Sequence, residues 1–220
     1  ADPILYATTA GGRLLSEVRL LGAPSIDWEA VTSDKAGRLY VADFGNNGNH
    51  RKDLSIYVLQ EPEVSAAGGI RRDSVSVTKT LSFHYPEQKE FPAKVRNFDA
   101  EAIFWGHSPH LGRGTLFLLT KNRSDSGTAL YRFNSLDEKP SSQALTRVSQ
   151  VKLKGDEKGR GLVTGAAIHE DGERIAVLTY YAIYIFKRSP KSDDYLGQHL
   201  WTVELGLNDM KQVEAISWVG

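Results

Sequence analysis

Two stretches of the sequence decide the fold: residues 27–31 read Asp-Trp-Glu-Ala-Val, and residues 99–103 read Asp-Ala-Glu-Ala-Ile. In both cases a polar turn and further short apolar runs follow, and the pattern recurs at a spacing typical of blades or solenoid repeats. Four-stranded units repeated radially form propeller blades. We therefore predict an all-β fold, a β-propeller of four-stranded blades. The aligned segments are Asp27–Val31, Arg38–Asp43 and Ser55–Val58; Asp99–Phe104, Leu116–Thr120 and Ala129–Phe133; Val163–Ile168, Arg174–Thr179 and Ile183–Phe186; and Gln212–Ile216.

The ends of the pattern suggest an incomplete ring. Ile4–Thr8 and Arg13–Leu20 read as the third and fourth strands of a unit, and the last predicted strand, Glu214–Val219, reads as the first strand of another. We predict a single domain over 1–220, with units near 26–85, 97–153 and 162–206 and partial units near 1–25 and 211–220. A five-bladed propeller lacking residues at both ends is favoured; a four-bladed ring is the alternative. Val75–Phe83 is predicted to be one continuous strand.

Composition narrows the classes of partner. Lys plus Arg and Asp plus Glu both number 27, so no net field favours a nucleic-acid backbone, and no nucleic-acid partner is expected. No apolar run is long enough to span a membrane. The absence of cysteine excludes thiolate metal sites, and no nucleotide or organic cofactor motif occurs.

An ordered set of motifs runs along the chain. The motifs are Asp27-Trp28-Glu29-Ala30, Ala42-Asp43-Phe44-Gly45-Asn46-Asn47, Phe98-Asp99-Ala100-Glu101-Ala102, Leu119-Thr120-Lys121, Val163-Thr164-Gly165-Ala166 and Val213-Glu214-Ala215. In this order they resemble a widespread bacterial group of exported proteins, which is similar to the SdiA-regulated and esterase-like phytase propellers and more distantly to gluconolactonase and NHL-type repeats. The resemblance covers nearly the whole chain, implies a propeller and a periplasmic or extracellular location, and specifies no activity.

The first strands carry the candidate metal site. Aligning the repeats places Glu29, Glu101, Gly165 and Glu214 at one equivalent position, with the gap at Gly165 open to a ligand. Carboxylates that converge on one axis share protons or bind a cation, and calcium suits an all-oxygen set that also includes Asp27 and Asp99. The alternative is that the Glu side chains accept hydrogen bonds from neighbouring strands and lock the blades together.

A second ring follows the second strands, where Asp43, Thr120 and Thr179 precede Phe44, Lys121 and Tyr180. Lys121, the one cation of this set, is expected either to neutralise the Glu cluster in place of a metal or to act on an anionic substrate. The turn at Asn46 and Asn47 offers further oxygen atoms for calcium but lacks the spacing of an EF-hand loop, and the alternative is a tight connection built on positive-φ residues. The predicted ligand-binding residues are Asp43, Asn46, Asn47, Thr120, Lys121, Thr164 and Tyr180.

Two functions remain open at this level. The first is a non-catalytic propeller of the cell envelope or exterior that binds a protein, peptide or glycan, with calcium in the channel. The second is a metal-dependent hydrolase of phosphoester or lactone type, in which the Glu ring holds calcium.

Overall fold

The computed structural model describes residues 2–64, 68–153, 161–206 and 212–218. Sixteen strands and no helix occur within these ranges, as expected from short apolar runs rich in β-branched and aromatic residues. The strands are β1 Ile4–Thr8, β2 Leu14–Leu21, β3 Trp28–Ser33, β4 Arg38–Asp43, β5 Ser55–Gln60, β6 Arg71–Ser76, β7 Lys79–His84, β8 Ala100–Ser108, β9 Arg113–Thr120, β10 Gly127–Arg132, β11 Gln143–Ala144, β12 Thr146–Lys152, β13 Val163–Ile168, β14 Arg174–Thr179, β15 Ala182–Lys187 and β16 Gln198–Glu204.

The strands form four sheets, which we call blades A to D in chain order. Blade A has the order β1-β2-β6, blade B the order β3-β4-β5-β7-β11, blade C the order β8-β9-β10-β12, and blade D the order β13-β14-β15-β16. Within blades B, C and D the four main strands meander antiparallel, so each blade begins at one edge with its first strand.

These first strands meet at the centre of the molecule. Strand β8 lies against both β3 and β13, while the blades pack face to face around them. One apolar core lies between blades A and B, a second between B and C, and a third between C and D. The chain has a β-propeller fold, which confirms the prediction; the number of blades in a complete ring stays a prediction.

The connections between third and fourth strands hold adjacent blades together, and we call them clasps. The clasp of blade B carries β6, which adds in parallel to β2 at the outer edge of blade A. The clasp of blade C carries β11, which adds in parallel to β7 at the outer edge of blade B. Edge strands with free backbone groups invite unwanted pairing, and the clasps cover two of these edges with chain from the next blade.

The prediction of one strand over Val75–Phe83 was therefore wrong. The segment divides into β6 and β7, which belong to different blades. The chain passes from one to the other at Val77 and Thr78, whose backbone N–H groups donate to Leu21 of blade A and Val58 of blade B respectively. Because the residues on both sides of Val77 and Thr78 favour strand formation, the local sequence does not show where the chain leaves blade A and enters blade B.

The clasp of blade D, residues 188–197, works through side chains. Asp193 is buried against blade C, where Arg132 forms an ion pair with it and Ser108 donates a hydrogen bond at 2.8 Å. Tyr195 packs edge-on against Phe104 and Phe117 with centroid distances of 5.1 and 5.0 Å. The same connection thus joins neighbouring blades in three successive repeats.

The segment 212–218 continues the ring beside β13 without forming a strand in its described part. Thr164 donates a hydrogen bond to the Val213 carbonyl at 2.6 Å, and the Trp218 indole donates to the Ala167 carbonyl at 3.0 Å. The predicted strand Glu214–Val219 is not formed over these residues, and Val219 lies outside the described part of the chain. None of the described residues forms a helix with the length and apolarity needed to cross a membrane.

Candidate functional site

A bulge recurs at the start of each first strand. Trp28 pairs with Asp43 and Ala30 with Ala42, so Glu29 has no partner in the ladder. Glu101 is skipped in the same way between Ala100 and Ala102. A bulge of this kind inserts one extra residue and turns its side chain away from the regular alternation. It therefore directs both Glu side chains towards the centre, where β3 and β8 are neighbours.

The third bulge corrects the sequence alignment. In β13 the skipped residue is Thr164, because Val163 pairs with Thr179 and Gly165 with Leu178. Thr164 is thus the equivalent of Glu29 and Glu101, and Gly165 is the equivalent of the alanine that follows them. The prediction of a gap at Gly165 was wrong by one residue. Thr164 is 1% exposed and uses its hydroxyl to hold the segment 212–218.

Glu29 and Glu101 form a carboxyl pair that shares a proton. Burial raises the pKa of Glu29 from 4.5 to about 9, and the nearby charges of Glu101 and Asp27 add to this effect. Neutral Glu29 donates a hydrogen bond to Glu101, whose own pKa is raised by burial but held down by Lys121. At neutral pH Glu29 is the acid of the pair and Glu101 is the carboxylate.

Lys121 is the cation that balances this pair. Its Nζ lies 2.9 Å from Oε1 of Glu101 and donates at 3.0 Å to the hydroxyl of Tyr180. Burial by itself lowers the pKa of Lys121, but its bonds to Tyr180 and Glu101 outweigh burial and raise that pKa, so the ammonium stays charged. Lys121 therefore compensates the charge of Glu101, while neutralising the Glu cluster and acting on an anionic substrate are the two roles that the sequence leaves open for it.

A second cation serves the neighbouring aspartate. Arg123 approaches Oδ2 of Asp99 at 2.9 Å and Oε1 of Glu101 at 3.8 Å. The other oxygen of Asp99 accepts the backbone N–H of Asn46 at 2.7 Å. Sequence reasoning did not single out Arg123; its signal was the Lys-Asn-Arg run directly after β9, where two basic side chains follow a strand that ends at the site.

Asp27 differs from Asp99 although both precede a bulged Glu by two residues. No salt bridge of the described residues includes Asp27 or Glu29. The Asp27 carboxylate instead lies beside Glu29 against the backbone of Gly45. The site therefore has one side in which carboxylates are paired with cations and one side in which they are not.

The pair opens into a cavity of about 460 Å³ between β3, β8, β13 and the segment 212–218, which we call the axial cavity. Glu29, Glu101 and Glu214 lie at its wall, and Glu214 is exposed. The remaining wall is largely apolar and includes Val31, Ile103 and Ile216. A polar group at one end and apolar walls elsewhere are the usual features of a small-molecule site.

Other predicted ligand-binding residues serve to hold the loops around the site. Asp43 accepts hydrogen bonds from the backbone N–H groups of Ile26 and Asp27 and pairs with buried Arg51 at 3.0 Å. Asn46 closes its own turn by accepting from the backbone N–H groups of His50 and Arg51. These side chains are fully engaged within the protein.

Thr120 and Asn47 lie closer to the cation side. The Thr120 hydroxyl donates to Asn122 at 2.6 Å and accepts from the backbone of Ala129, so it is a structural contact. Asn47 is exposed, and its side-chain oxygen accepts from Arg123. Among the predicted ligand-binding residues, Lys121 contacts the carboxyl pair directly, and Tyr180 contacts Lys121.

The predicted metal ligands are placed together only in part. Glu29, Glu101, Asp27 and Asp99 lie close enough to influence the protonation of Glu29. Over the described residues, however, no group of three or more His, Cys, Asp or Glu side chains has an arrangement that could hold a metal ion. Glu101 and Asp99 are already satisfied by Lys121 and Arg123.

Comparisons with known proteins return similar solved structures but no family. No known family model matches the sequence, and no curated protein matches it. Similar solved structures include the Dos1 propeller, with 12% identity, a TM-score of 0.45, and coverage of 92% of this chain and 42% of that one. A protein of unknown function from Desulfotomaculum acetoxidans has 12% identity, a TM-score of 0.41, and coverage of 90% and 47%.

A third similar structure is a proposed 6-phosphogluconolactonase from Bacteroides fragilis, with 13% identity, a TM-score of 0.37, and coverage of 84% of this chain and 43% of that one. The chain thus spans less than half the length of each of these proteins. At this similarity none of them carries information about a ligand or an activity.

Proposed function

We propose that this chain is part of a binding propeller of the cell envelope or exterior, and that the axial cavity takes a ligand bearing a cationic group. The observation that carries the proposal is the unequal charge of the site. Lys121 and Arg123 compensate Glu101 and Asp99, whereas Asp27 and exposed Glu214 have no cationic partner among the described residues. A positive group entering the cavity would meet Glu29 and the uncompensated carboxylate of Glu214 at the wall, with Asp27 behind Glu29, in a partly desolvated space.

The walls define the rest of the ligand. Val31, Ile103 and Ile216 offer apolar surface beside the carboxyl groups, so a primary ammonium group on an aliphatic chain fits the cavity better than a bare ion. The side chain of a lysine in a peptide and the amine of an amino sugar share this chemistry. Glu29 would have to lose its proton to pair with the ammonium group, and binding would therefore release a proton.

Titration with hexylamine, using hexanol as the uncharged counterpart, tests this proposal. NMR shifts of the axial cavity residues should report binding of hexylamine, and Glu29→Gln should weaken it by about tenfold or more. Calorimetry in two buffers of different ionisation enthalpy should show proton release at pH 7 for the wild type. Equal affinity for hexanol and hexylamine, or unchanged hexylamine affinity in Glu29→Gln, would refute the proposal.

A calcium ion is the second candidate occupant, and a metal-dependent hydrolase of phosphoester or lactone type is the corresponding activity. One observation favours hydrolytic chemistry: a neutral acid, Glu29, lies directly beside an ionised carboxylate, Glu101, as in acid–base pairs whose pKa values are driven apart. The described residues supply no ready metal cage, so we rank this function second.

The same preparations discriminate the two functions. Calcium chloride titrated into the wild type and into Glu101→Gln tests the ion, and a screen of lactone and phosphoester substrates with and without calcium tests the activity. Hydrolysis that disappears in Glu29→Gln and in Lys121→Ala would support the enzyme. Location outside the cytoplasm, which rests on sequence resemblance alone, is tested by fractionating cells that express the full-length protein.

A further inference from the structure

Gly45 has no conformational reason to be glycine. It follows β4 in the loop over Asn46 and Asn47, and its φ lies outside the left-handed region that favours glycine. The turn glycines Gly37 and Gly172 differ, since their φ angles are +73° and +69°. The reason for glycine at position 45 must therefore be space.

The space is taken by two carboxyl groups. A Cβ atom built on Gly45 would lie 2.4 Å from Cγ and Oδ2 of Asp27 and 2.4 Å from Oε1 of Glu29. Nonbonded atoms do not approach this closely, so a methyl group at position 45 would have to displace both side chains. Any larger side chain would displace them further.

The backbone of Gly45 is fixed from the other side and is not free to retreat. Its N–H donates to the Asp27 carbonyl at 3.1 Å, and its carbonyl accepts from the buried guanidinium of Arg51 at 2.9 Å. Arg51 is itself held by Asp43 at 3.0 Å. The carboxyl groups, at the ends of rotatable side chains, are the parts that would move.

We propose that Gly45 is a positioning residue for the axial site: its missing side chain lets the carboxyl groups of Asp27 and Glu29 lie together against the backbone, which brings Glu29 within reach of Glu101. The equivalent position in blade C is Asn122, where Lys121 and Arg123 hold the carboxylates instead. Among the described residues no cation pairs with Asp27 or Glu29 of blade B, and close packing on Gly45 takes the place of such a cation. The inference rests on the proposed function only because both concern the axial site; the role of Gly45 is to set the geometry of that site.

The test compares two alanine substitutions in the same loop. Gly45→Ala should push Glu29 away from Glu101 and towards solvent, and the pKa of Glu29, followed by NMR of its carboxyl carbon, should fall by at least about one pH unit. Gly48→Ala is the matched control, because its Cβ would meet the ring of exposed His50, which can turn away. Its Glu29 pKa should stay at the wild-type value. A folded Gly45→Ala variant with an unchanged Glu29 pKa would overturn the proposal.

A second variant covers the case in which Gly45→Ala does not fold. Asp27→Ala combined with Gly45→Ala removes one of the two groups with which the new methyl collides. We expect the double variant to unfold at a higher urea concentration than Gly45→Ala alone, and a double variant no more stable than the single one contradicts the proposal. Neither measurement uses a ligand, so failure of hexylamine binding and failure of this inference remain distinguishable.

Discussion

Replacing Glu29 by glutamine should make the protein more stable at neutral pH. In the unfolded chain Glu29 is ionised above its ordinary pKa of 4.5, whereas in the folded protein it keeps its proton up to about pH 9. Folding at pH 7 must therefore protonate Glu29 at a pH well above the pKa that this group has in the unfolded chain, and this protonation costs free energy. Glutamine is neutral in both states, has nearly the same shape, and donates to Glu101 as protonated Glu29 does.

The size of the effect follows from linkage. The folded state binds the Glu29 proton more tightly, so its contribution to stability is complete below pH 4.5 and is lost as the pH rises towards 9. At about 1.4 kcal/mol per pH unit, the roughly 2.5 units between 4.5 and 7 amount to a ceiling of about 3.5 kcal/mol. Because Glu29 is only partly buried, solvent screening reduces this to about 1.5–3 kcal/mol.

Urea unfolding of wild type and Glu29→Gln at pH 5, 7 and 8.5 checks this value. The advantage of the glutamine variant should be small at pH 5 and should grow at each step, so the two stability curves diverge. Glu214→Gln, which alters an exposed carboxyl group at the same cavity, is the control and should run parallel to the wild type. Parallel curves for Glu29→Gln, or a less stable variant at pH 7, would refute the assignment of the shared proton.

The other interactions give three further predictions. Lys121→Met should leave buried Glu101 with Arg123 alone, at 3.8 Å, and cost about 3 kcal/mol in urea unfolding, and adding Glu101→Gln should recover part of this loss; no recovery would mean that Lys121 acts through packing alone. Asp193→Ala should lower the free energy of unfolding by about 3 kcal/mol because it leaves buried Arg132 without its carboxylate partner. Asp2→Ala, which removes the exposed partner of Arg19, is the control and should change stability by less than about 0.5 kcal/mol. Equal effects of the two substitutions would contradict a stabilising role for the clasp of blade D. Phe117→Ala, in the core between blades C and D, should cost about 3–5 kcal/mol by the same measurement, and a loss below about 1 kcal/mol would show that this core is loosely packed.

The sequence was sufficient for the architecture because the features that define it are local. Strand boundaries such as Arg38–Asp43 and Arg174–Thr179 coincide with those observed, since each is an apolar run enclosed by turn residues. The recurring Glu-Ala pattern aligns Glu29 with Glu101, and in the structure both lie at the wall of the axial cavity. Because the four-strand pattern recurs along the chain, the assignment of the fold does not depend on the correct prediction of any single strand.

What the sequence could not show depends on contacts between distant segments. Strand β6 is polar along much of its length and becomes a strand by adding to β2, more than fifty residues away. The off-by-one error at Gly165 arose because a bulge has no signature in a Val-Thr-Gly-Ala string; only the pairing with β14 identifies Thr164 as the extra residue. The choice between a metal and Lys121 likewise required the position of the ammonium group.

The clasps set limits on how a molecule of this kind can gain or lose blades. Excising the sequence from β3 to the start of β8 would remove the four main strands of blade B and also β6, which would uncover the outer edge of blade A, because β6 and β11 belong in sequence to one repeat and in space to another. A viable duplication or deletion would have to keep each clasp matched to the edge that it covers. The repeat in the sequence therefore does not coincide with the blade in the structure. Chimaeras joined at blade boundaries should carry clasps that do not match the edges they have to cover.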